Sequence, residues 1–302
     1  MEKIVFFGTH EFGAAMLESL IQAGFEIVKV ATQPDRPAGR DHLATESAVK
    51  ILAKKHNLEV TQPEKLKEFS LGSDHDLNVV CQYGLIIPKA VLDAPKKGSI
   101  NVHTSLLPKY RGASPIQSAI INGENETGVT VMLMDEKMDH GNILSQTKIL
   151  IEKDEKYLEL QKRMEKPAST LLIETLKAYL SGKINPVTQN DSEATYCTTF
   201  SRDDGRIDWK KPAIQIYDLY RGLTPWPGIW TTWNNKRLKL LSVSPSLKNV
   251  PAGIVKIEDS KIFVGTDKGS LLVTELQMEG KKAVQAKDFV SGYRDFNGSK
   301  LD

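Results

Sequence analysis

Cysteine is nearly absent: only Cys81 and Cys197 occur in 302 residues. They share no motif spacing and Cys81 sits in an apolar run, so a disulfide framework and a thiolate metal set are excluded. Free thiols suited to a reducing cytoplasm are expected. No His/Cys cluster has zinc-like spacing, so no metal is expected. Long apolar runs are also missing, and nothing approaches the roughly 20 residues needed to span a bilayer. The amino terminus, Met1-Glu-Lys-Ile-Val-Phe-Phe7, runs straight into a strand instead of a charged region, apolar stretch and cleavage site. A secretory leader is therefore not expected, and the location expected is cytoplasmic. There is no internal repeat and no low-complexity tract. Gly8-Thr-His-Glu-Phe-Gly13 follows a strand, but it has neither the Gly-x-Gly-x-x-Gly spacing nor the Lys-Ser/Thr of a phosphate loop. It reads as a tight turn at a pocket rim.

Charge is almost balanced, at a formal +2, but it is unevenly distributed. Residues 1–204 hold 24 basic and 28 acidic side chains, whereas residues 205–302 hold 16 basic and 10 acidic. A basic final third on a mildly acidic remainder suggests an anionic partner such as nucleic acid.

Short β-rich runs alternate with amphipathic stretches through the first 180 residues. Residues 3–8 predict a strand, residues 11–23 a helix with Phe12, Met16, Leu17 and Leu20 on one face, and residues 25–32 a second strand. A loop rich in Pro, Gly and charge covers Gln33 to Ala44, and a helix is expected over Ser47–His56. Strands are predicted at Leu77–Cys81, Gly98–His103 and Thr127–Met134, and helices at Pro88–Leu92, Pro115–Asn122 and Tyr157–Leu180. This alternation predicts an α/β fold with a Rossmann-like, mostly parallel sheet and helices on both faces. Such sheets place ligands beyond the carboxyl ends of their strands, near Gly8, Tyr83-Gly84 and His103. The polar run Ser181–Asp191, with its Gly and Pro, reads as a connector. After it, a helix over Ala213–Gly222 precedes short strand candidates at Ile229–Trp233, Leu238–Ser242, Gly253–Ile257, Lys261–Gly265 and Ser270–Leu276. These predict a small carboxy-terminal β-barrel of the OB-like kind. The domains expected are 1–181, a linker over 182–204, and the barrel over 205–302.

Chemistry concentrates in Asn101-Val-His-Thr-Ser-Leu-Leu-Pro-Lys-Tyr-Arg-Gly112 and in Met138-Asp-His-Gly141. Residues two apart on a strand share a face, so Asn101 and His103 point together. An amide, an imidazole and the carboxylate of Asp139 would suit acyl-type transfer, where an oxyanion needs donors and an amine must lose a proton. His140, one residue beyond Asp139 in a turn, has no strand to aim it and is assigned a supporting role. Trp226 and Trp230 with Tyr217 and Tyr220 could form a stacking surface, but Thr224-Pro-Trp-Pro-Gly228 better suits a buried packing cluster.

These motifs, with Thr32-Gln-Pro-Asp-Arg-Pro-Ala-Gly-Arg40, Tyr83-Gly-Leu-Ile-Ile-Pro-Lys-Ala-Val-Leu92, Thr127-Gly-Val-Thr130, Gly205-Arg-Ile-Asp-Trp209 and Pro225-Trp-Pro227, resemble the methionyl-tRNA formyltransferase family over nearly the whole chain. The resemblance implies 10-formyltetrahydrofolate as donor and the α-amino group of initiator methionyl-tRNA as acceptor. It implies a catalytic set of Asn101, His103 and Asp139, and folate contacts from Ser105, Leu106, Leu107, Pro108, Tyr83, Gly84 and Leu85. It also implies that the loop carrying Arg36 and Arg40 lies against the acceptor stem, while exposed Lys281 and Lys282 are phosphate-contact candidates. A monomer with no membrane association is expected. The loop after Arg40 departs from the family pattern of glycine, two lysines and a proline, reading Asp41-His-Leu-Ala-Thr-Glu-Ser-Ala48 instead. That exchange of bases for acids keeps two alternatives in view: a formyltransferase acting on an amino-sugar nucleotide, and a folate- or RNA-binding protein without catalysis.

Overall fold

Lys3-Ile-Val-Phe-Phe-Gly8 has no polar side chain to offer water beyond its first residue, and this strand, β1 (Lys3–Gly8), is buried from Ile4 onward. A strand buried on both faces belongs in the middle of a covered parallel sheet. The computed structural model describes residues 2–38, 43–66 and 74–302. The chain divides into two compact units, one of residues 1–115, 126–150 and 160–198, the other of residues 116–125, 151–159 and 199–302.

Elements of the first part follow in the order α1 (Glu11–Gln22), β2 (Glu26–Ala31), β3 (Arg36–Ala38), β4 (Leu43–Thr45), α2 (Ala48–Lys55), β5 (Val60–Thr61), β6 (Leu77–Cys81) and α3 (Lys89–Leu92). Then come β7 (Ser99–His103), β8 (Arg111–Gly112), α4 (Pro115–Ile121), β9 (Glu126–Leu133), β10 (Ile143–Leu150), α5 (Tyr157–Leu180) and β11 (Tyr196–Cys197). Among the described residues, seven strands form one sheet in the order β10-β9-β7-β6-β1-β2-β5. The pairs from β7 through β5 are parallel, as expected. The antiparallel part of this mostly parallel sheet lies at one side. β9 runs antiparallel to β7, and β10, which was not expected from the sequence, runs antiparallel to β9. The nine residues between β9 and β10 are too few for a helical crossover, so the chain turns back on itself. From Ser145 to Leu150, β10 alternates partly or fully buried residues with exposed ones, as a strand with one wet face should.

Both faces of this sheet are covered. Phe12, Met16, Leu17 and Leu20 of α1 are fully buried, and α5 buries Leu160, Met164, Ala168, Leu172 and Leu176 at helical spacing. The hydroxyl of Ser169 on α5 reaches the Met16 sulfur at 3.9 Å, so both helices cover the same face. On the opposite face Val5, Phe7 and Val80 pack with Tyr83, Ile87, Val91 and Leu92. Register places Asn101 beside Val80, and Val80 beside Phe7. Asn101 therefore lies on the face covered by the Tyr83–Leu92 segment. Residues 182–198, expected as a linker, belong instead to the first unit, where β11 pairs in parallel with β8.

The remaining chain forms α6 (Ala213–Leu223), β12 (Ile229–Trp233), β13 (Lys236–Ser246), β14 (Val255–Glu258), β15 (Lys261–Gly265), β16 (Ser270–Met278), β17 (Val284–Gln285) and α7 (Ala286–Gly292). An antiparallel sheet runs β12-β13-β16-β15-β14, with β17 on β16. The carboxy-terminal tail closes it into a barrel. Thr232 of β12 exchanges both main-chain hydrogen bonds with Asp302, while Val255 of β14 donates to Ser299 and Leu301 donates to Gly253. Trp233, Phe289, Tyr293 and Phe296 fill one end with edge-on and stacked rings. Tyr217, Tyr220 and Trp230 are buried as expected, but Trp226 is 56% exposed. It stands between Pro225 and Pro227 in the turn that ends α6, so the turn carries it outward instead of into the cluster. No helix among the described residues is long and apolar enough to cross a membrane.

Candidate active site

The same-face rule for β7 holds at the site. Asn101 and His103 both approach one carboxylate oxygen of Asp139: Asn101 Nδ2 donates to Oδ1 at 3.3 Å, and His103 Nδ1 stands 3.6 Å from the same atom. The other oxygen, Oδ2, accepts from the main-chain N–H of Gly112 at 2.9 Å. The carboxylate thus has one oxygen tied to a fixed backbone donor and one turned toward the amide and the imidazole.

His103 is 6% exposed, and its Nε2 lies 2.8 Å from the Tyr110 carbonyl. A carbonyl can only accept, so Nε2 carries the hydrogen and Nδ1 is the nitrogen facing Asp139. With a neutral ring, two lone pairs would confront each other there. A donor placed between them by a bound substrate would satisfy both acceptors.

Asp139 does two jobs. It is a turn residue with φ of +49°, a conformation Asp tolerates better than most, and its carboxylate faces Asn101 and His103. Gly141 completes the turn, because a Cβ there would lie 2.0 Å from the Leu133 carbonyl oxygen. Gly112 is fixed by an equally hard constraint. Its φ is +123° and a Cβ would meet the Cys197 carbonyl oxygen at 2.0 Å.

Several functional partners escaped the sequence reading. Thr130, at the end of the Thr127–Thr130 motif, donates to the Ser105 carbonyl at 2.6 Å and accepts from the Leu107 N–H at 3.2 Å. Gln146 donates to Thr130 Oγ1 and to the Leu107 carbonyl. These bonds fix the loop of Ser105, Leu106, Leu107 and Pro108. Ser105 itself is fully buried, its hydroxyl committed to the Lys109 carbonyl. Gln189 also binds the Asp139 turn, and the side chain of Arg111 binds Gln189. A polar residue in a connector, 50 positions from its partner, gives no local signal. His140 bridges Asp135 and Asp191 at 2.6 and 3.4 Å, beside the cleft.

Tyr83 to Leu85 follow β6 on the Asn101 face. The Tyr83 carbonyl accepts from Thr9 and Gln33, which fixes the segment. Its phenol is buried without a hydrogen-bond partner among the described residues, and burial pushes its pKa to about 12. It is a neutral hydroxyl with a donor to give. Cys81 is fully buried, which pushes its thiol well above the ordinary range and leaves it inert. Asp191 is held below the usual carboxylate range, first by its hydrogen bond from Arg111.

Arg36, Lys281 and Lys282 are exposed, and Arg40 lies outside the described residues. Glu46, one of the acids in the altered loop, is paired with Lys50 and Lys54, so its charge is locally met.

Residues 2–176 match the formyl transferase family, and residues 200–294 match its C-terminal domain. An N-formyltransferase from Helicobacter canadensis, solved with folinic acid and dTDP-3-aminofucose, has a similar fold. Its TM-score is 0.68 at 19% identity over 92% of this chain and all of that one. The methionyl-tRNA formyltransferase of Halalkalibacterium halodurans is 42% identical over 96% of this chain and 94% of its own. That of Staphylococcus aureus strain MW2 is 41% identical over the full length of both. The chain belongs to the methionyl-tRNA formyltransferase family.

Proposed function

We infer that the chain transfers the formyl group of 10-formyltetrahydrofolate to the α-amino group of methionyl initiator tRNA, with Asn101, His103 and Asp139 as its catalytic residues. The observation that carries this reading is the convergence of the Asn101 amide and the His103 ring on one oxygen of Asp139, with the other oxygen held by Gly112. The folate supplies the formyl carbon, and its leaving nitrogen takes up the proton that the amine gives to Asp139, so that Asp139 ends ionised again.

The chain's own groups handle the charge and the protons. Asn101 Nδ2 and a protonated His103 Nδ1 donate to the formyl oxygen as it gains negative charge on attack by the amine. The Tyr110 carbonyl keeps Nε2 protonated and the ring fixed, so Nδ1 is the nitrogen available to the cleft. Asp139, ionised and oriented by Gly112, balances the charged ring and receives the proton that the attacking amine must lose, directly or through one water. The unpartnered Tyr83 hydroxyl and the rigid loop of Ser105 to Pro108 support a folate site on the same sheet face. Exposed Arg36, Lys281 and Lys282 support contact with the tRNA backbone, for which charge rather than sequence provides most of the affinity.

The test supplies purified protein with 10-formyltetrahydrofolate and, separately, methionyl-tRNA and an amino-sugar nucleotide. Formylmethionyl-tRNA as the product is expected. Formylation of the sugar nucleotide alone would overturn the assignment.

A further inference from the structure

The Asp139 carboxylate is aimed by Gly112, but its main chain is held by something else. Gln189 is buried in the polar stretch that follows α5, and its Nε2 donates to the Asp139 carbonyl and to the Gly141 carbonyl, both at 2.8 Å. Its Oε1 accepts from Arg111 Nε at 3.1 Å and Arg111 Nη2 at 2.9 Å. Arg111 is 1% exposed, and it reaches onward to Asp191 Oδ1 at 2.8 Å and to the Tyr196 hydroxyl at 3.3 Å. Every hydrogen-bonding position of the Gln189 amide is therefore used, and the amide cannot be turned over. A flip would point its NH2 at two guanidinium donors and its oxygen at two carbonyls.

This arrangement is more specific than packing would require. The two carbonyls that Gln189 gathers flank His140 and belong to the turn in which Asp139 adopts φ of +49°. Such a conformation in a non-glycine residue persists where its surroundings enforce it. The residue that orients Gln189 is the immediate neighbour of the one whose N–H holds the carboxylate. The dipeptide Arg111-Gly112 thus grips Asp139 twice: directly at the side chain, and through Gln189 at the main chain.

We propose that Gln189 is a positioning residue for formyl transfer, locking the Asp139 turn so that the carboxylate meets Asn101 and His103, with buried Arg111 setting its orientation. The inference rests on the catalytic role assigned to Asp139 above. Gln189 touches neither substrate, so its loss should act on turnover and not on donor binding.

The experiment is a double-mutant cycle in saturating methionyl-tRNA and 10-formyltetrahydrofolate, using Gln189→Met and Asp139→Asn singly and together. Gln189→Met keeps the volume but removes all four hydrogen bonds. Alone it should lower kcat up to about 100-fold, the scale of a reacting group displaced by about an ångström, with donor KM within about threefold. In the Asp139→Asn background it should cost less than about threefold more, because the group it positions is already lost. A simple structural weakening would multiply with Asp139→Asn, and that result overturns the proposal. Gln189→Glu is the second variant, keeping the acceptor for Arg111 while replacing the donor with a carboxylate oxygen aimed at two carbonyls. It should show the same loss of kcat, and wild-type turnover in it also overturns the proposal. Failure of the underlying reading would look different: Asp139→Asn itself would turn over as fast as the wild type.

Discussion

Replacing Gly112 by alanine tests how the site is built without touching any of the three side chains proposed as catalytic. A Cβ at this position would stand 2.0 Å from the Cys197 carbonyl oxygen, at φ of +123°. Packed carbon atoms normally sit about 3.5 Å apart, so strands β8 and β11 must separate by more than an ångström. Backbone strain at such a φ costs about 1–3 kcal/mol. Moving the Gly112 N–H away from Asp139 Oδ2, now 2.9 Å distant, also forfeits a hydrogen bond to a charged group. Such a bond contributes about 1.5–3 kcal/mol. A combined loss of about 2.5–6 kcal/mol would lower the melting temperature of a unit this size by roughly 5–24 °C. If the hydrogen bond matters fully in the transition state, kcat falls about 10- to 150-fold. Thermal unfolding and steady-state formylation on one preparation give both numbers. A Gly112→Ala protein that melts and turns over like the wild type would refute the argument.

Three further outcomes are expected. Asp191 is held low by Arg111, so the folded state gains from its ionisation above the unfolded carboxylate pKa of about 3.9 and loses that gain as pH falls through the lower folded value. The melting-temperature difference between wild type and Asp191→Asn should therefore be present at neutral pH, shrink as pH falls below about 4 and vanish only below the lower folded value; a constant difference would contradict the pairing. Lys281→Ala and Lys282→Ala should each weaken tRNA binding and reduce the slope of log affinity against log salt by about one. An unchanged slope would remove both from the interface. Thr130→Val should raise the donor KM more than it lowers kcat, since the hydroxyl ties down the Ser105–Leu107 loop; equal effects would argue against a folate role for that loop.

The fold was most legible where apolar runs were bounded by clear breakers. Leu77–Cys81, Ile229–Trp233, Lys261–Gly265 and Tyr157–Leu180 have the limits expected of them. Strand direction was not legible at β9, because Thr127–Met134 reads as apolar whichever way it runs and only the short return to β10 decides. Closure of the barrel was hidden too, since it depends on main-chain bonds from the tail at Ser299–Asp302 and these have no side-chain pattern. At the site, period-two spacing was enough to bring Asn101 and His103 together. Asp139 came from the motif, and its dual role as turn residue and carboxylate emerged only from its φ and its partners. Gln189 had no signal, because an amide in a polar connector looks like every other solvated residue until its four partners are known. Trp226 was misplaced because hydrophobicity alone does not say which residue of a proline-flanked turn points outward.

The convergence of amide, imidazole and carboxylate is tested most directly by Asn101→Ala, measured for turnover with saturating substrates and for donor affinity by equilibrium titration. Loss of one oxyanion donor should slow formyl transfer by about 100-fold or more while donor affinity stays within about threefold. Turnover near that of the wild type, or a defect confined to folate binding, would contradict the account.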